Sequence, residues 1–220
     1  MTPAEPSRDC ALCPRLAEYR RENAAAHPEW FNGAVPSFGD ASARLLVLGL
    51  APGVKGANRT GRPFTGDYAG DLLYATLRTF GFASGRYGAD PGDGLELVDC
   101  MVTNAVRCVP PQNRPLPAET ATCRRFLAAR LADLPRLSAV LCLGRIAHET
   151  LLRALGERLA AHPFAHGARH DIGGLAIFDS YHCSRYNTNT GRLTAAMFEA
   201  VFADLRRHLD APEGVSRASA

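Results

Sequence analysis

The sequence predicts an α/β fold, in which helices cover a mainly parallel β-sheet. Four apolar runs have the length of β-strands, and they cover residues 44–50, 95–106, 137–144 and 175–182. None of them alternates cleanly between apolar and polar residues, which is typical of strands buried on both faces of a parallel sheet. Helical patterns lie between and after these runs, and such alternation favours parallel strands joined by right-handed crossovers.

Each predicted helix carries local signals of its own. The four helical patterns cover residues 70–82, 117–134, 145–156 and 194–209. The second has Pro117 in its first turn, where a backbone N–H is not needed, and the third ends at Gly156, which suits a helix stop. The fourth is amphipathic and closes the domain. We therefore expect one domain over residues 1–210 and a disordered tail over 211–220.

Composition narrows the class of protein. The 220-residue chain is 46% hydrophobic and 21% charged, as in an ordinary globular protein, and no apolar run is long enough to span a membrane. The first ten residues lack a signal-peptide pattern, so a cytoplasmic location is expected. The net charge is +3, and Lys55 is the only lysine. Arginine suits bidentate phosphate contacts, so nucleic acid is a permitted partner, although this charge does not require one.

Unusual polar segments follow three of the predicted strands. They cover residues 49–67, 104–113 and 182–194. In open α/β sheets, ligands bind beyond the carboxyl ends of the strands, so we expect these three segments to converge on one site. The first segment is also long for a loop, and long loops without regular structure are usually functional.

Four of the seven cysteines form two pairs, Cys10 with Cys13 and Cys108 with Cys123. The first pair is a C-x₂-C motif and the second begins in a proline-rich segment, so four thiolates are available for a tetrahedral zinc site or an iron–sulfur cluster. In the cytoplasm, cysteines are more often metal ligands or buried thiols than disulfides. Cys100 and Cys142 lie inside predicted strands and are expected to be small buried side chains.

Three histidines recur at every fourth position, His162, His166 and His170. On a helix, this spacing would place them on one face, where they could bind a metal ion. Pro163 and Gly167 would break that helix, so we interpret the segment as a surface loop.

Three motifs and the cysteine pairs together resemble a known family. The motifs are GLAPGVKGANRTGRPFTGD at 49–67, TNAVRC at 103–108 and SYHCSRYNTNTGRLT at 180–194. In this order, the chain resembles the family 5 (type b) uracil-DNA glycosylases, relatives of the family 4 enzymes, from Cys10 to about His208. The resemblance implies a three-layer α/β/α sandwich around a four-stranded, mainly parallel sheet. It also implies that the four cysteines hold a 4Fe–4S cluster with a structural role.

The resemblance further implies a DNA repair enzyme that hydrolyses the N-glycosidic bond of a uracil flipped out of DNA and leaves an abasic site. Phe64 matches the family's aromatic residue that stacks on the base, Asn104 the amide that reads the base edge, and His182 the donor to a base oxygen. Backbone amides around Ala51 and Gly53 are expected to add donors.

The segment that would handle the attacking water departs from the wider superfamily. Residues 50–52 carry no polar side chain, which is a trait of family 5, and Asn58 matches a position that carries an acid in some relatives. An amide cannot act as a general base, so we expect Asn58 to orient the water or the loop. Because the pocket has few polar groups, we also expect it to accept deaminated purines, namely hypoxanthine and xanthine.

The same loops predict the contacts with DNA. Four arginines lie in the two loops expected to touch phosphates, Arg59, Arg62, Arg185 and Arg192. The segment after His182 is expected to enter the minor groove and fill the gap left by the flipped base. There Cys183 replaces the superfamily's usual proline, which leaves the turn less rigid and would allow oxidation if the thiol were exposed. The protein is expected to act as a monomer.

Two other functions fit parts of the sequence. A non-catalytic iron–sulfur or zinc module that binds nucleic acid would use the cysteines and arginines, but it does not require Phe64, Asn104 and His182 at three strand ends. A nucleotide-binding enzyme would use the glycine-rich loop, but Gly56 follows Lys55 where a P-loop requires Ser or Thr. Release of uracil from an oligonucleotide separates these functions.

Overall fold

The computed structural model describes residues 3–211. Its strands are β1 (Phe38–Gly39), β2 (Leu45–Gly49), β3 (Ala83–Ser84), β4 (Glu96–Leu97), β5 (Cys100–Asn104), β6 (Ala139–Leu143), β7 (Arg169–Ile172) and β8 (Leu175–Ser180). Its helices are α1 (Pro14–Ala26), α2 (Ala57–Thr60), α3 (Tyr68–Thr79), α4 (Pro117–Ala132), α5 (Arg145–Leu155), α6 (Arg185–Asn189) and α7 (Ala195–Asp210). Apart from residue 211, the predicted disordered tail lies outside the described residues.

Six strands form the main sheet, in the order β1-β5-β2-β6-β8-β7. The four inner strands run parallel and correspond to the four apolar runs, which confirms the predicted α/β class. The outer strands β1 and β7 pair antiparallel with their neighbours, so the expected number of four strands is too small. Neither outer strand has an apolar run that would reveal it, because β1 has two residues and β7 alternates between exposed and half-buried residues.

Helices cover both faces of the sheet, which makes a three-layer α/β/α sandwich. Along β2, Leu45 and Val47 belong to the core formed with α3 and α7, whereas Leu46 and Leu48 belong to the core formed with α4 and α5. Successive residues of a strand point to opposite faces, and every residue of β2 is buried. This two-sided burial explains why the sequence shows apolar runs without polar alternation.

The four predicted helices correspond to α3, α4, α5 and α7. The sequence pattern does not predict α1, because Leu16 is the one apolar residue that this helix buries. It is held instead by Arg20, whose guanidinium donates to the backbone carbonyls of Arg8 and Cys10. Within residues 3–211, no helix is long and apolar enough to cross a membrane.

The strand register brings the functional segments to one edge of the sheet. Gly49 at the end of β2 pairs with Asn104 at the end of β5, and Leu143 at the end of β6 pairs with Ser180 at the end of β8. Because these strands are parallel, the segments that follow them leave the sheet at its carboxyl edge.

Candidate active site

One cavity of about 560 Å³ lies at the carboxyl edge of the sheet, and we call it the carboxyl-edge pocket. Its lining residues are 50–57, Phe64, 67–69, Asn104, Asn113, His182, Ser184 and Arg185. All three polar segments therefore converge on one site, as the sequence predicts. The residues expected to bind the base, Ala51, Gly53, Phe64, Asn104 and His182, all lie in its wall.

Phe64 forms an aromatic wall of this pocket. Its ring stacks beside that of His182, with ring centroids 5.8 Å apart and planes inclined by 26°. Its backbone has a φ of 52°, which is uncommon for a residue other than glycine. The hydroxyl of Tyr87 donates to the Phe64 carbonyl over 3.2 Å and helps to hold this conformation. Strained residues of this kind cluster at functional sites.

Gly49 has no side chain, and the Phe64 ring and the Asn104 amide occupy the space beside it. A Cβ atom at this position would collide with the Phe64 ring and with Oδ1 of Asn104. The end of β2 therefore needs glycine, because any side chain there would push one of these two groups out of place.

Asn104 presents an unsatisfied acceptor. The residue is 3% exposed, and its buried Oδ1 has no hydrogen-bond partner among residues 3–211. A buried acceptor without a partner costs about 1–3 kcal/mol. An N–H group of a ligand in the pocket would remove this cost, so the amide is suited to bind one.

His182 is a neutral hydrogen-bond donor. Burial lowers its pKa to about 4, so the imidazole carries no charge at pH 7 and keeps a single N–H. Its own carbonyl accepts a hydrogen bond from Nδ2 of Asn187 over 2.8 Å, which fixes the turn after β8. A neutral imidazole can donate to a developing anion in the pocket.

The structure does not support the expectation that Asn58 orients the attacking water. Asn58 is fully buried and is not among the residues that line the pocket. Its Nδ2 donates to Oδ1 of Asn32 over 3.0 Å, and its carbonyl accepts from the Asn32 backbone over 2.9 Å. Asn58 thus ties the long loop to the segment before β1, so of the two expected roles, orienting the water or orienting the loop, these contacts fit the second.

Asp67 is a pocket residue that the sequence analysis missed. It is the one carboxylate among the lining residues, and burial raises its pKa above the ordinary value for aspartate. The same side chain caps α3, because its Oδ1 accepts from the Gly70 backbone over 3.4 Å. An aspartate before a helix is commonly a cap, and no other feature of the sequence indicates a second role for Asp67. Asn113 lines the pocket as well.

Three of the four arginines expected at the DNA interface are exposed, and one is not. Arg59, Arg185 and Arg192 are exposed, and Arg185 also lines the pocket. Arg62 is 5% exposed and donates to both oxygens of Asp93 over 2.8 and 2.7 Å. A guanidinium occupied in this way is not available to a phosphate, so the interpretation of Arg62 as a DNA contact is corrected.

Cys183 is buried, so the condition for oxidation is not met. The side chain is 0% exposed, and its Sγ donates to the Ala69 carbonyl over 3.4 Å. Burial raises its pKa to about 12, which keeps the thiol protonated and unreactive. The hydrogen bond connects the turn after β8 to the start of α3.

The two cysteine pairs meet in space. Their side chains line one small cavity together with Leu16, Val106 and Phe126. Burial raises the pKa of Cys108 to about 12 and that of Cys123 to about 11, so without a bound cation these thiols stay protonated. A bound metal removes the proton from a coordinating thiol.

The surroundings of the four cysteines fit an anionic, sulfur-rich group. The backbone N–H of Arg107 donates to Sγ of Cys123 over 3.3 Å. The positive charge of Arg20 partly opposes the rise that burial causes in the pKa of Cys108. Among residues 3–211, the buried Nε of Arg20 has no hydrogen-bond partner. Both features would stabilise negative charge at this site.

The spacing of the four cysteine sulfurs can be compared with the spacing in a zinc site. Within residues 3–211, the one group of three or more His, Cys, Asp or Glu side chains with ligand atoms all within 4.8 Å contains no cysteine. A single zinc ion with four thiolates at about 2.3 Å would draw the sulfurs to about 3.8 Å from one another. Within the described residues, the four sulfurs are therefore not as close together as in a closed zinc site with four thiolates.

The fold and the pocket define the class of protein, and comparison with known families agrees. Residues 36–206 match the Uracil DNA glycosylase superfamily, and the chain belongs to this family of hydrolytic enzymes. More particularly, it is 47% identical over 205 residues to the type-5 uracil-DNA glycosylase of Thermus thermophilus, covering 90% of this chain and 93% of that protein. The type-5 uracil-DNA glycosylase of Mycobacterium tuberculosis is 41% identical over 209 residues, covering 90% of this chain and 77% of that protein. These relatives confirm the resemblance to family 5.

Proposed function

We propose that this protein is a DNA repair glycosylase that removes uracil from DNA by hydrolysing its N-glycosidic bond and leaves an abasic site. The observation that carries the proposal is the meeting of Phe64, Asn104 and His182 in the wall of one pocket, although they come from segments that belong to three different strands, β2, β5 and β8. The type-5 relatives and the superfamily membership support it. A non-catalytic nucleic-acid-binding module has no use for this arrangement.

Base recognition follows from the chemistry of the pocket. A uracil flipped out of the duplex stacks on Phe64. Its N3–H donates to Oδ1 of Asn104, the buried acceptor without a partner, and its O4 accepts from Nδ2 of the same amide. Ala51 and Gly53 line the same space, and their backbone N–H groups are proposed to add donors.

The reaction separates charge, and the pocket stabilises the separation. As the bond between base and sugar breaks, the base takes the electron pair and the sugar carbon becomes cation-like. The N–H of neutral His182 donates to a base oxygen that becomes anionic only as the bond breaks, so the hydrogen bond strengthens in the transition state. Water then adds to the sugar carbon and loses one proton.

Asp67 is proposed to handle the attacking water, which Asn58 does not reach. Its carboxylate lies in the wall of the pocket, and burial raises its pKa, which makes it a better proton acceptor than an ordinary aspartate. It orients the water, accepts its proton and stabilises the cation-like sugar. Asn113, on the opposite polar segment, offers an amide to hold the same water.

The four cysteines are proposed to hold a 4Fe–4S cluster with a structural role. The cluster would join the N-terminal segment with Cys10 and Cys13 to the segment after β5 and to α4. When bound, it would cross-link three parts of the chain that also meet in one small apolar cluster. No step of the hydrolysis is assigned to it, because the cysteines do not line the carboxyl-edge pocket.

The proposed substrate range includes hypoxanthine and xanthine, and the proposed partner is DNA bound by a monomer. Residues 50–52 line the pocket without a polar side chain that would reject a purine. Arg59, Arg185 and Arg192 are exposed, Arg185 lines the pocket, and all three are proposed to contact phosphates. In the cell, the protein is proposed to work on chromosomal DNA.

The test is release of uracil from a duplex oligonucleotide, followed by alkaline cleavage at abasic sites. We expect cleavage with the wild-type protein, and a loss of about 10²–10³-fold in rate for His182→Ala, as is typical when one donor to a developing anion is removed. His27→Ala, at a surface position outside the pocket, is the matched control and should retain full activity. Binding of the oligonucleotide without cleavage by the wild type would instead support the non-catalytic module.

The same assay tests substrate breadth. Oligonucleotides that contain hypoxanthine or xanthine should also be cleaved, more slowly than those with uracil. Uracil opposite guanine should be released faster than uracil opposite adenine, because a mispaired base costs less to flip. If a large excess of enzyme releases uracil but no hypoxanthine, the open-pocket argument fails while the uracil function stands.

A further inference from the structure

A second cluster of polar side chains lies outside the carboxyl-edge pocket. His148 of α5, His170 of β7 and Asp179 of β8 each place one ligand atom within 4.8 Å of the other two. None of the three lines the carboxyl-edge pocket. Neither the fold nor the proposed hydrolysis of uracil explains why these groups meet.

We propose that His148, His170 and Asp179 bind one divalent transition-metal ion, with zinc as the first candidate. The ligand atoms would be Nδ1 of His148, Nε2 of His170 and a carboxylate oxygen of Asp179. Imidazole and carboxylate ligands in this combination suit zinc and its neighbours in the first transition series.

The orientation of His148 is that of a metal ligand. Its Nε2 lies 2.8 Å from the backbone carbonyl of His162, and a carbonyl can only accept, so Nε2 carries a hydrogen. Its Nδ1 lies 2.8 Å from Oδ1 of Asp179 and points into the cluster. Metal-binding histidines typically donate their second ring N–H to a carbonyl or carboxylate in this way.

Two atoms of the cluster remain unsatisfied. Oδ2 of Asp179 and Nε2 of His170 lie 3.4 Å apart, and in the part of the chain that the structure describes neither has a hydrogen-bond partner. The Asp179 side chain is fully buried, and those of His148 and His170 are 1% and 12% exposed. A proton on Nδ1 of His148 satisfies only one oxygen of Asp179. A cation at the centre is bound by all three residues.

Charge and geometry agree with a divalent ion. One carboxylate and two neutral imidazoles carry a single negative charge, which a divalent cation complements. Binding would displace any proton on Nδ1 of His148, so affinity should fall as the pH falls. The ring of Phe164 packs edge-on against His148, with centroids 5.6 Å apart, and supplies an apolar wall. Three protein ligands leave one position for water.

The ion would stiffen the support of the candidate active site. It would join α5 to the two last strands of the sheet, and Asp179 precedes His182 by three residues along β8 and its following turn. The proposal does not depend on the hydrolysis of uracil, because its observations concern these three side chains alone.

The test measures zinc and iron in the same sample of the purified full chain, so that the cysteine site and the histidine site are counted separately. After incubation with zinc and dialysis, the wild type should retain one zinc ion per chain. Zinc-edge X-ray absorption should then show nitrogen and oxygen ligands at about 2.0–2.2 Å and no sulfur at about 2.3 Å. This measurement needs no variant, and it is not obscured by the colour of a cluster.

A pair of variants supplies the control. His170→Ala removes the most accessible ligand and should lower zinc affinity by about tenfold or more, with iron content unchanged. His27→Ala, at a surface histidine that stacks on Trp30, should bind zinc as the wild type does. The proposal is overturned if the wild type retains no zinc, if the ligands are sulfur, or if the two variants bind equally. If His170→Ala does not fold, the absorption spectrum of the wild type decides.

Discussion

Arg62→Ala is expected to destabilise the folded protein without weakening its binding to DNA phosphates. Besides its two hydrogen bonds to Asp93, the Arg62 guanidinium donates from Nε to the Thr65 hydroxyl over 2.7 Å. Three aromatic rings surround it at 5.2–5.9 Å, those of Phe38, Tyr74 and Tyr87. Every polar group of this cluster is therefore satisfied by another group of the protein, and removal of the guanidinium leaves the buried Asp93 carboxylate without its counter-charge, bound by the backbone N–H groups of Gly88 and Leu95.

The expected magnitude follows from this burial. Removing one partner of a buried ion pair costs about 3–5 kcal/mol, because the other charge remains uncompensated. For a chain of 150–250 residues, 1 kcal/mol shifts Tm by about 2–4 °C, so we expect a fall of about 6–20 °C. The hydrogen bonds from Arg62 hold the pKa of Asp93 well below its usual range. The pair therefore stabilises the protein fully above about pH 4, and this contribution is lost as the pH falls through the lowered pKa.

The assay combines thermal melting, followed by circular dichroism at pH 7, with DNA binding measured over a range of salt concentrations. Arg185→Ala is the matched control, because Arg185 is exposed and lines the pocket. It should leave Tm nearly unchanged and reduce the salt dependence of binding by about one phosphate contact. The reasoning is refuted if Arg62→Ala melts like the wild type and instead reduces the salt dependence.

Three further substitutions test the pocket and the cysteine site. Gly49→Ala should lower the rate of uracil release by about 100-fold, because misplacing a reacting group by about 1 Å has this effect; a fully active and folded variant would contradict the tight contact with Phe64. Asp67→Asn should slow the reaction by about 10²–10⁴-fold. It should also abolish the loss of rate that the wild type shows as the pH falls through the raised pKa of Asp67, and an unchanged pH profile would remove Asp67 from the water-handling role. Cys108→Ala should lose the brown colour and the roughly four irons per chain expected of a cubane. Cys142→Ala, in β6, is the control and should keep both. Equal iron content in the two variants would reject the cysteine site.

The inner sheet could be predicted because local sequence and tertiary burial agree there. The residues of β2 are buried from both sides, so the apolar run at 44–50 is direct evidence of a two-sided environment. The outer strand β7 could not be found in this way, because its register is set by the tight turn at Gly173 and Gly174 and by pairing with β8. Helix α1 lacks an apolar stripe, since it is held by polar contacts of Arg20.

Site residues that follow a strand directly could be predicted from the sequence. Residues whose role depends on a partner far away in the sequence could not. Asn104 ends β5 and lies at the carboxyl edge because of the topology alone. Arg62 and Asn58 look like loop residues free to bind a ligand, but Asp93 and Asn32, far away in the sequence, occupy them. No pattern in the neighbouring sequence indicates such a partner. The role of Asp67 in the pocket could not be predicted for another reason. Its position before α3 is already explained by its function as a helix cap.

The separation of the two cysteine pairs along the chain sets an order of events during synthesis. Cys10 and Cys13 leave the ribosome first, whereas Cys108 and Cys123 follow only after β2, α3 and β5 have been made. A cluster that needs all four ligands can therefore close only when about half of the protein has emerged. Until then the first two thiols have to stay reduced, and a nascent chain stalled before Cys108 should take up no iron.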